Sequence, residues 1–343
     1  MSKTIKQWFV NARMTSLPQS MMPALVAVVL ALNVEGFNLI MAVLAILGVM
    51  AAHLGMNLAD DFFDYKVNTS SSRKKLVRQG IRARLHKYPY LESGEATITD
   101  LRNAIGAFGL AAILLGAIIF TYRYFVGGYQ GIIAITLLTL IGGIFYSAPP
   151  LKLSYRGLGE LVIGVIFGPL LMSGVYLSAC GKINPEILLV SIPIGLFVTN
   201  ILFTHSYIDQ NADAASGKMT FARLLKSDTA NLIASCVFCF CPFAIVIYGV
   251  VVGLLPLAYL FTLLALPRAT WLFSSMTKFS RNEEVDLQNP PRFLGKMENW
   301  ERICQGGTAW FMIRWYTARN LCSAFCGIIV LINLINFVLS FFC

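Results

Sequence analysis

Nine stretches of this 343-residue chain are apolar for about 20 residues, the length a helix needs to cross a bilayer. They run over roughly 16–34, 38–58, 103–122, 128–148, 158–181, 186–208, 229–248, 250–272 and 321–342. In lipid a segment must satisfy its own backbone, so helices are the expected form. The period-2 alternation of an outer-membrane barrel is absent. Hydrophobic residues make up 57% of the chain and charged ones 13%, where a soluble domain carries about 25% charge. A soluble enzyme, a disordered chain and a small disulfide-stapled scaffold are thereby excluded. The expected fold class is an all-α membrane protein of nine transmembrane helices, with residues 1–343 forming one domain and long loops near 59–102 and 276–320.

The charges orient these spans. Nine crossings place alternate loops on opposite sides, and 25 of the 27 lysines and arginines then fall on the N-terminal side. Only Arg123 and Lys182 fall on the other side. The positive-inside bias makes the N-terminal side cytoplasmic. It also accounts for the net charge of +10 without nucleic acid, and leaves membrane lipid as the bulk partner. The first apolar run is long and lacks an A-x-A exit, so it reads as a retained span. The eight cysteines lie mostly in apolar runs and read as small buried residues.

Acids inside spans are costly and point to function. They gather at two places: His53-Leu54-Gly55-Met56-Asn57-Leu58-Ala59-Asp60-Asp61-Phe62-Phe63-Asp64, and His205-Ser206-Tyr207-Ile208-Asp209-Gln210-Asn211-Ala212-Asp213. On a helix Asn57, Asp61 and Asp64 share a face, with Asp60 at its edge, and Asp209 and Asp213 share another. Carboxylates this close repel unless a cation lies between them. Oxygen-only ligands suit Mg²⁺, which commonly bridges protein carboxylates to substrate phosphates. The alternative is a solvated helix end, which two such runs on the same side make a weaker reading.

The two runs repeat. His53, Asn57 and Asp61 map onto His205, Asp209 and Asp213 at a constant offset of 152 residues. Two four-helix repeats around a central cavity, plus one extra helix, would make the second and sixth spans equivalent. Both acid columns would then face that cavity.

Cations stand on the same side: Lys152 and Arg156 in one loop, Lys218 five residues after Asp213. A diphosphate needs fixed cations beside the metal, although the positive-inside bias alone already places basic residues here. His53 and His205 lie one turn deeper than the acids. They read as hydrogen-bonded packing residues or as partners that orient a carboxylate or handle a substrate proton. The run Trp310 to Tyr316 reads as an interfacial aromatic anchor or as the entry to the ninth span.

With these residues the chain resembles the UbiA superfamily of intramembrane aromatic prenyltransferases, whose members have nine transmembrane helices and aspartate-rich motifs on the second and sixth. Asn57, Asp61 and Asp64 match the first motif, and Asp209 and Asp213 the second. Within the superfamily the chain looks most like the branch that acts on 1,4-dihydroxy-2-naphthoate in menaquinone synthesis. The segments that carry this likeness are Ala12-Arg13-Met14-Thr15-Ser16-Leu17-Pro18, Tyr155-Arg156-Gly157-Leu158-Gly159-Glu160 with Phe167-Gly168-Pro169, and Gly217-Lys218-Met219-Thr220-Phe221-Ala222-Arg223-Leu224. Asp60 stands where that branch often has Asn. Lys87 to Gly94 is only loosely similar to its Arg-Pro-Leu-x-Ser-Gly, and the loops near 70–88 and 276–320 are longer than usual.

The resemblance implies an integral enzyme of the bacterial inner (plasma) membrane with its site on the cytoplasmic side. A polyprenyl diphosphate would be one substrate and an aromatic acceptor the other, with Mg²⁺ as cofactor. Asn57, Asp61, Asp64, Asp209 and Asp213 would hold the metal. Lys152, Arg156 and Lys218, with Asn57, would receive the diphosphate, while Asp60 or Tyr146 would assist proton removal. The other readings are a different aromatic acceptor (4-hydroxybenzoate, homogentisate, a porphyrin or chlorophyllide) and, from another class, a cation-coupled transporter.

Overall fold

The computed structural model describes residues 5–66, 88–215, 217–287 and 289–342. The Ser-rich basic stretch 68–75 lies outside the described residues. Among the described residues every regular element is helical. Eight helices among the described residues are long and apolar enough to cross a membrane, which makes the chain an integral multi-pass membrane protein. The chain divides into two compact units. Unit 1 comprises Met1–Lys152 and Leu170–Ile183, and unit 2 comprises Leu153–Pro169 and Asn184–Cys343.

Unit 1 opens with α1 (Ile5–Asn11), a 3-10 turn at Met14–Ser16 and α2 (Pro18–Ala31). Helix α2 corresponds to the first of the nine apolar stretches. Its 14 residues rise about 21 Å, short of a hydrocarbon core of about 30 Å. It is therefore not among the eight helices long enough to span. Next come α3 (Leu39–Lys66), a single turn α4 (Pro89–Glu92), α5 (Ile98–Val126) and α6 (Tyr129–Ser147). A reciprocal cap starts α5: Thr97 Oγ1 accepts the Asp100 amide at 3.1 Å, and Asp100 accepts the Thr97 amide at 2.9 Å. Only Gly127 and Gly128 separate α5 from α6, at φ 109° and 93°. A Cβ at Gly128 would also lie 2.7 Å from the Gly181 carbonyl oxygen, so glycine is required there. Arg123, buried beside this turn, donates to the Ser178 carbonyl from Nε at 3.0 Å and from its terminal nitrogen at 2.8 Å. Many apolar side chains of α5 and α6 remain exposed, as lipid-facing helices require.

One helix, α7 (Gly159–Cys180), belongs to both units. A π-helical turn at Ile166–Leu170, containing Pro169, marks the change of membership. Unit 2 continues with α8 (Pro185–Ile208), α9 (Gln210–Ala215), α10 (Phe221–Leu224), α11 (Asp228–Val251), α12 (Leu257–Ser280), α13 (Trp300–Gln305) and α14 (Ala309–Leu339). Asn184 caps α8 by accepting the Ile187 amide at 3.0 Å, and Ser227 caps α11 through Ala230 at 3.0 Å. Most of α8 is buried; Phe197 packs edge-on against Phe243 and Phe325, and Phe203 against Phe221 and Phe238.

The last helix starts at Ala309, twelve residues before the expected 321. Trp310 to Tyr316 therefore forms its first turns rather than a separate anchor. Two arginines interrupt the hydrophobic pattern there without ending the helix, because protein groups satisfy both. Arg314 donates to the carbonyls of Ser275 (3.1 Å) and Trp310 (2.6 Å). Arg319 lies 3.4 Å from Glu298 and over the Tyr316 ring at 4.6 Å. With α12 running to Ser280, the expected loop 276–320 shortens to 281–308, itself containing α13.

Candidate active site

In unit 1 the candidate residues occupy the last turns of α3. Asp61 and Asp64 are fully buried, and Asn57 and Asp60 are half-buried. Apolar packing by Ala12, Leu54, Leu58, Tyr88, Tyr90, Leu91 and Leu101 seals this end of the helix. Arg13 forms an ion pair with Asp61 Oδ1, and the Tyr90 hydroxyl donates to Asp61 Oδ2 at 2.9 Å. Burial pushes the Tyr90 phenol above its ordinary range, partly opposed by the positive charge of Arg13. Arg13 reaches Asp61 from a left-handed backbone, φ 59°, uncommon for a residue with a Cβ. The Ser147 hydroxyl donates to Asp60 Oδ1 at 2.8 Å. Tyr146, next to it on α6, is half-buried, and Lys152 is exposed. His53, one turn deeper, sits between Ser20 (2.6 Å to Nδ1) and Ser16 (3.3 Å to Nε2).

In unit 2 the second carboxylate pair straddles a break. Helix α8 ends at Ile208, Asp209 leaves helical geometry as its C-cap, and α9 carries Asp213. Both aspartates are buried. The Asp213 amide donates to the Asp209 carbonyl at 3.0 Å, and the Lys218 amide to the Asp213 carbonyl at 2.9 Å. His205 Nε2 lies 3.7 Å from Asp209 Oδ2, with the Phe311 ring edge-on to the imidazole at 5.1 Å.

Two loops lock together beside this pair. The Gly157 amide donates to the Met219 carbonyl at 2.7 Å, and both Glu160 carboxylate oxygens lie 3.2 Å from the Phe221 amide. Arg223 donates to the Lys218 carbonyl, and the Lys218 ammonium stands 5.6 Å from the Tyr155 ring centre. The structure thus brings Asp209, Asp213, Lys218 and Tyr155 into one neighbourhood. Arg156 is exposed on the same loop as Tyr155.

The donor chemistry suits a hard divalent cation. Asn57, Asp61 and Asp64 offer an amide and two buried carboxylates on one helix face, and Asp209 and Asp213 offer two more carboxylates. A cation already stands on Asp61 in the form of the Arg13 guanidinium. Among the described residues no three His, Cys, Asp or Glu side chains gather around one point.

Four contributors had no assigned role in the sequence reading: Arg13, Ser16, Tyr90 and Glu160. Each lies in a segment with a recognisable motif, but its pairing joins residues far apart in the chain. Local spacing cannot reveal such pairings.

The family model described as the UbiA prenyltransferase family matches residues 20–293. The chain belongs to that family. It is an enzyme, a prenyltransferase. Its curated relatives include the 1,4-dihydroxy-2-naphthoate octaprenyltransferases of Haemophilus influenzae (24% identical over 64% of this chain and 70% of that one) and Bacillus subtilis (24%, over 61% and 63%). A Drosophila melanogaster UbiA prenyltransferase domain-containing protein 1 homolog is 27% identical over 85% of this chain and 76% of its own length. The fold is shared with a UbiA homolog from Archaeoglobus fulgidus bound to GPP and Mg²⁺: TM-score 0.55, 14% identity, covering 91% of this chain and 99% of that one. A UbiA homolog from Aeropyrum pernix superposes with a TM-score of 0.54 at 17% identity, over 93% and 96%.

Proposed function

We propose that this UbiA-family enzyme transfers a polyprenyl group from its diphosphate to 1,4-dihydroxy-2-naphthoate, as a single membrane domain. Its N-terminus and acid columns would lie on the cytoplasmic side of the plasma membrane. The observation that carries the reaction class is the pair of buried carboxylate clusters at the ends of α3 and α8, within a chain of UbiA membership. Curated relatives named for the naphthoate acceptor support the second substrate, and 25 basic residues on one side support the orientation.

Asn57, Asp61 and Asp64 would hold Mg²⁺ in unit 1, and Asp209 and Asp213 would do so in unit 2. Bound Mg²⁺ would supply charge stabilisation for the departing diphosphate. Lys218, Arg156 and Lys152 receive the negative charge that grows on the leaving group. The allylic C–O bond breaks with its electron pair on the diphosphate, and the electron-rich ring attacks the allylic carbon. Asp60 or Tyr146 takes the proton of a ring hydroxyl as the ring attacks and returns it when the carboxylate on the attacked carbon leaves as CO₂, its bonding pair restoring the aromatic ring. The buried setting of Asp61 and Asp64 keeps water from the acids.

Product analysis by mass spectrometry tests this reading. Purified protein in lipid would be given farnesyl diphosphate or a longer homologue, Mg²⁺ and 1,4-dihydroxy-2-naphthoate, with 4-hydroxybenzoate as the control acceptor. A prenylated, decarboxylated naphthoquinol is expected, and Asp61→Ala and Asp209→Ala should abolish it while the protein stays folded. Product with hydroxybenzoate alone would overturn the acceptor. Retained turnover in both variants would overturn the metal role.

A further inference from the structure

The segment before α2 fixes the orientation of Asn57. Asn57 Nδ2 donates to the Ala12 carbonyl at 2.9 Å and to Ser16 Oγ at 3.0 Å. A carbonyl only accepts, so the end of the amide facing Ala12 is its nitrogen. The oxygen, Oδ1, is therefore the end turned away from Ala12.

Ser16 sits at the junction of a chain of polar groups. Its hydroxyl donates to the Arg13 carbonyl at 2.8 Å, accepts from Asn57, and faces His53 Nε2 at 3.3 Å. The assignment that keeps the shortest distances has Ser20 donating to Nδ1 at 2.6 Å rather than to the Leu17 carbonyl at 3.1 Å. Nε2 then donates to Ser16. Either imidazole tautomer leaves Ser16 the acceptor of the Asn57 amide. Ser20 is fully buried and His53 nearly so. Apolar residues would fill positions 16, 20 and 53 at less cost in a membrane-embedded core. What they would lose is the acceptor that holds Asn57.

We propose that Ser16, backed by His53, is a positioning residue for Asn57. It locks the amide so that Oδ1 is presented as an oxygen ligand on the face that carries Asp61 and Asp64. This inference rests on the reading that Asn57 belongs to a divalent-metal column. Hydrogen-bonded partners of metal ligands characteristically set affinity about 10- to 100-fold.

The test uses full-length protein in lipid nanodiscs with Mn²⁺ as the probe, followed by electron paramagnetic resonance. It is run with and without a thio-bridged, unreactive geranyl diphosphate. Ser16→Ala is expected to weaken Mn²⁺ binding roughly 10-fold when measured well below its unfolding temperature, and Ser16→Thr, which keeps the hydroxyl, to restore it. Wild-type Mn²⁺ affinity in Ser16→Ala overturns the proposal. Asn57→Asp gives a second reading should Ser16→Ala fail to fold. The added negative charge alone would tighten binding, whereas a carboxylate that repels the Ala12 carbonyl and cannot donate to Ser16 should loosen it. Tighter binding in Asn57→Asp overturns the proposal. Unchanged Mn²⁺ binding in both Asn57→Ala and Asp61→Ala would sink the metal-column reading itself.

Discussion

The Tyr90 hydroxyl donates to Asp61 Oδ2 at 2.9 Å, across 29 positions of sequence, while Arg13 holds the other carboxylate oxygen. A fully buried carboxylate in a membrane-spanning helix is tolerable only with such partners. Asp61 draws them from two separate segments, the turn before α2 and the turn α4. Tyr90→Phe removes one partner and should cost about 1–3 kcal/mol, the penalty for a buried acceptor left unmet. The pH dependence gives a sharper check. Burial raises the folded-state phenol above its unfolded value of 10.0. The stabilisation from Tyr90 is thus complete below pH 10 and declines above it, by about 1.4 kcal/mol per pH unit, as the unfolded phenol ionises and the folded one does not. The stability gap between wild type and Tyr90→Phe should be flat up to pH 10 and narrow beyond it. A gap that widens above pH 10 would contradict the burial of the phenol.

Arg13 stands on Asp61 as the metal is proposed to do. Its side chain is 36% exposed, so breaking the pair should cost less than the roughly 3–5 kcal/mol of a fully buried one. About 1–2 kcal/mol is expected for Arg13→Gln, measured by thermal unfolding in EDTA. Mg²⁺ should recover part of that loss, since any cation on Asp61 relieves the same uncompensated charge. A loss that Mg²⁺ leaves untouched would mean that Arg13 acts through packing alone.

That the chain holds eight long apolar helices was legible because length and hydropathy alone decide it; 186–208 became Pro185–Ile208 and 128–148 became Tyr129–Ser147, while 250–272 became Leu257–Ser280. The acids themselves were conspicuous as charge inside an apolar run, but the helix break at Asp209, between that residue and Asp213, was not. Two further features stayed hidden for separate reasons. The start of the last helix was masked by Arg314 and Arg319, whose cost is met by the Ser275 carbonyl and the Glu298 carboxylate elsewhere in the chain and by the Trp310 carbonyl and Tyr316 ring on the same helix. The partners of the acids were masked because Arg13 to Asp61 spans 48 positions and Glu160 to Phe221 spans 61, and neither leaves a periodic trace.

Glu160 grips the Phe221 amide with both oxygens, and thereby ties the Tyr155–Glu160 segment to the loop that carries Lys218. Glu160→Gln replaces one oxygen with an NH₂ that faces another N–H. The lost charge-assisted bond is worth about 1.5–3 kcal/mol, so the Lys218 loop should loosen. Under the proposed reaction, KM for the prenyl diphosphate should rise roughly tenfold, with a smaller change in kcat at saturation. Steady-state kinetics in lipid reads this directly. An unchanged KM with a collapsed kcat would instead place Glu160 in the chemistry.

The π-helical turn in α7 is built around contact between backbones. A Cβ at Gly168 would lie 2.7 Å from the Ser191 carbonyl oxygen and 2.8 Å from the Gly195 nitrogen, and one at Gly195 would lie 2.7 Å from the Gly164 carbonyl oxygen. These neighbours are main chain and cannot rotate aside, so one added methyl must separate α7 from α8. In lipid, where close packing rather than water exclusion holds helices together, that separation is costly. Gly168→Ala should lose about 1–3 kcal/mol, the range for overpacking a tight interior. Gly106→Ala on α5 is the control. A Cβ there meets nothing within 4 Å, so it should gain up to about 1 kcal/mol from helix propensity. Thermal unfolding of both variants in the same nanodiscs separates the cases. Equal stabilities for the two would show that α7 and α8 can part without penalty, and that the glycines do not set their approach.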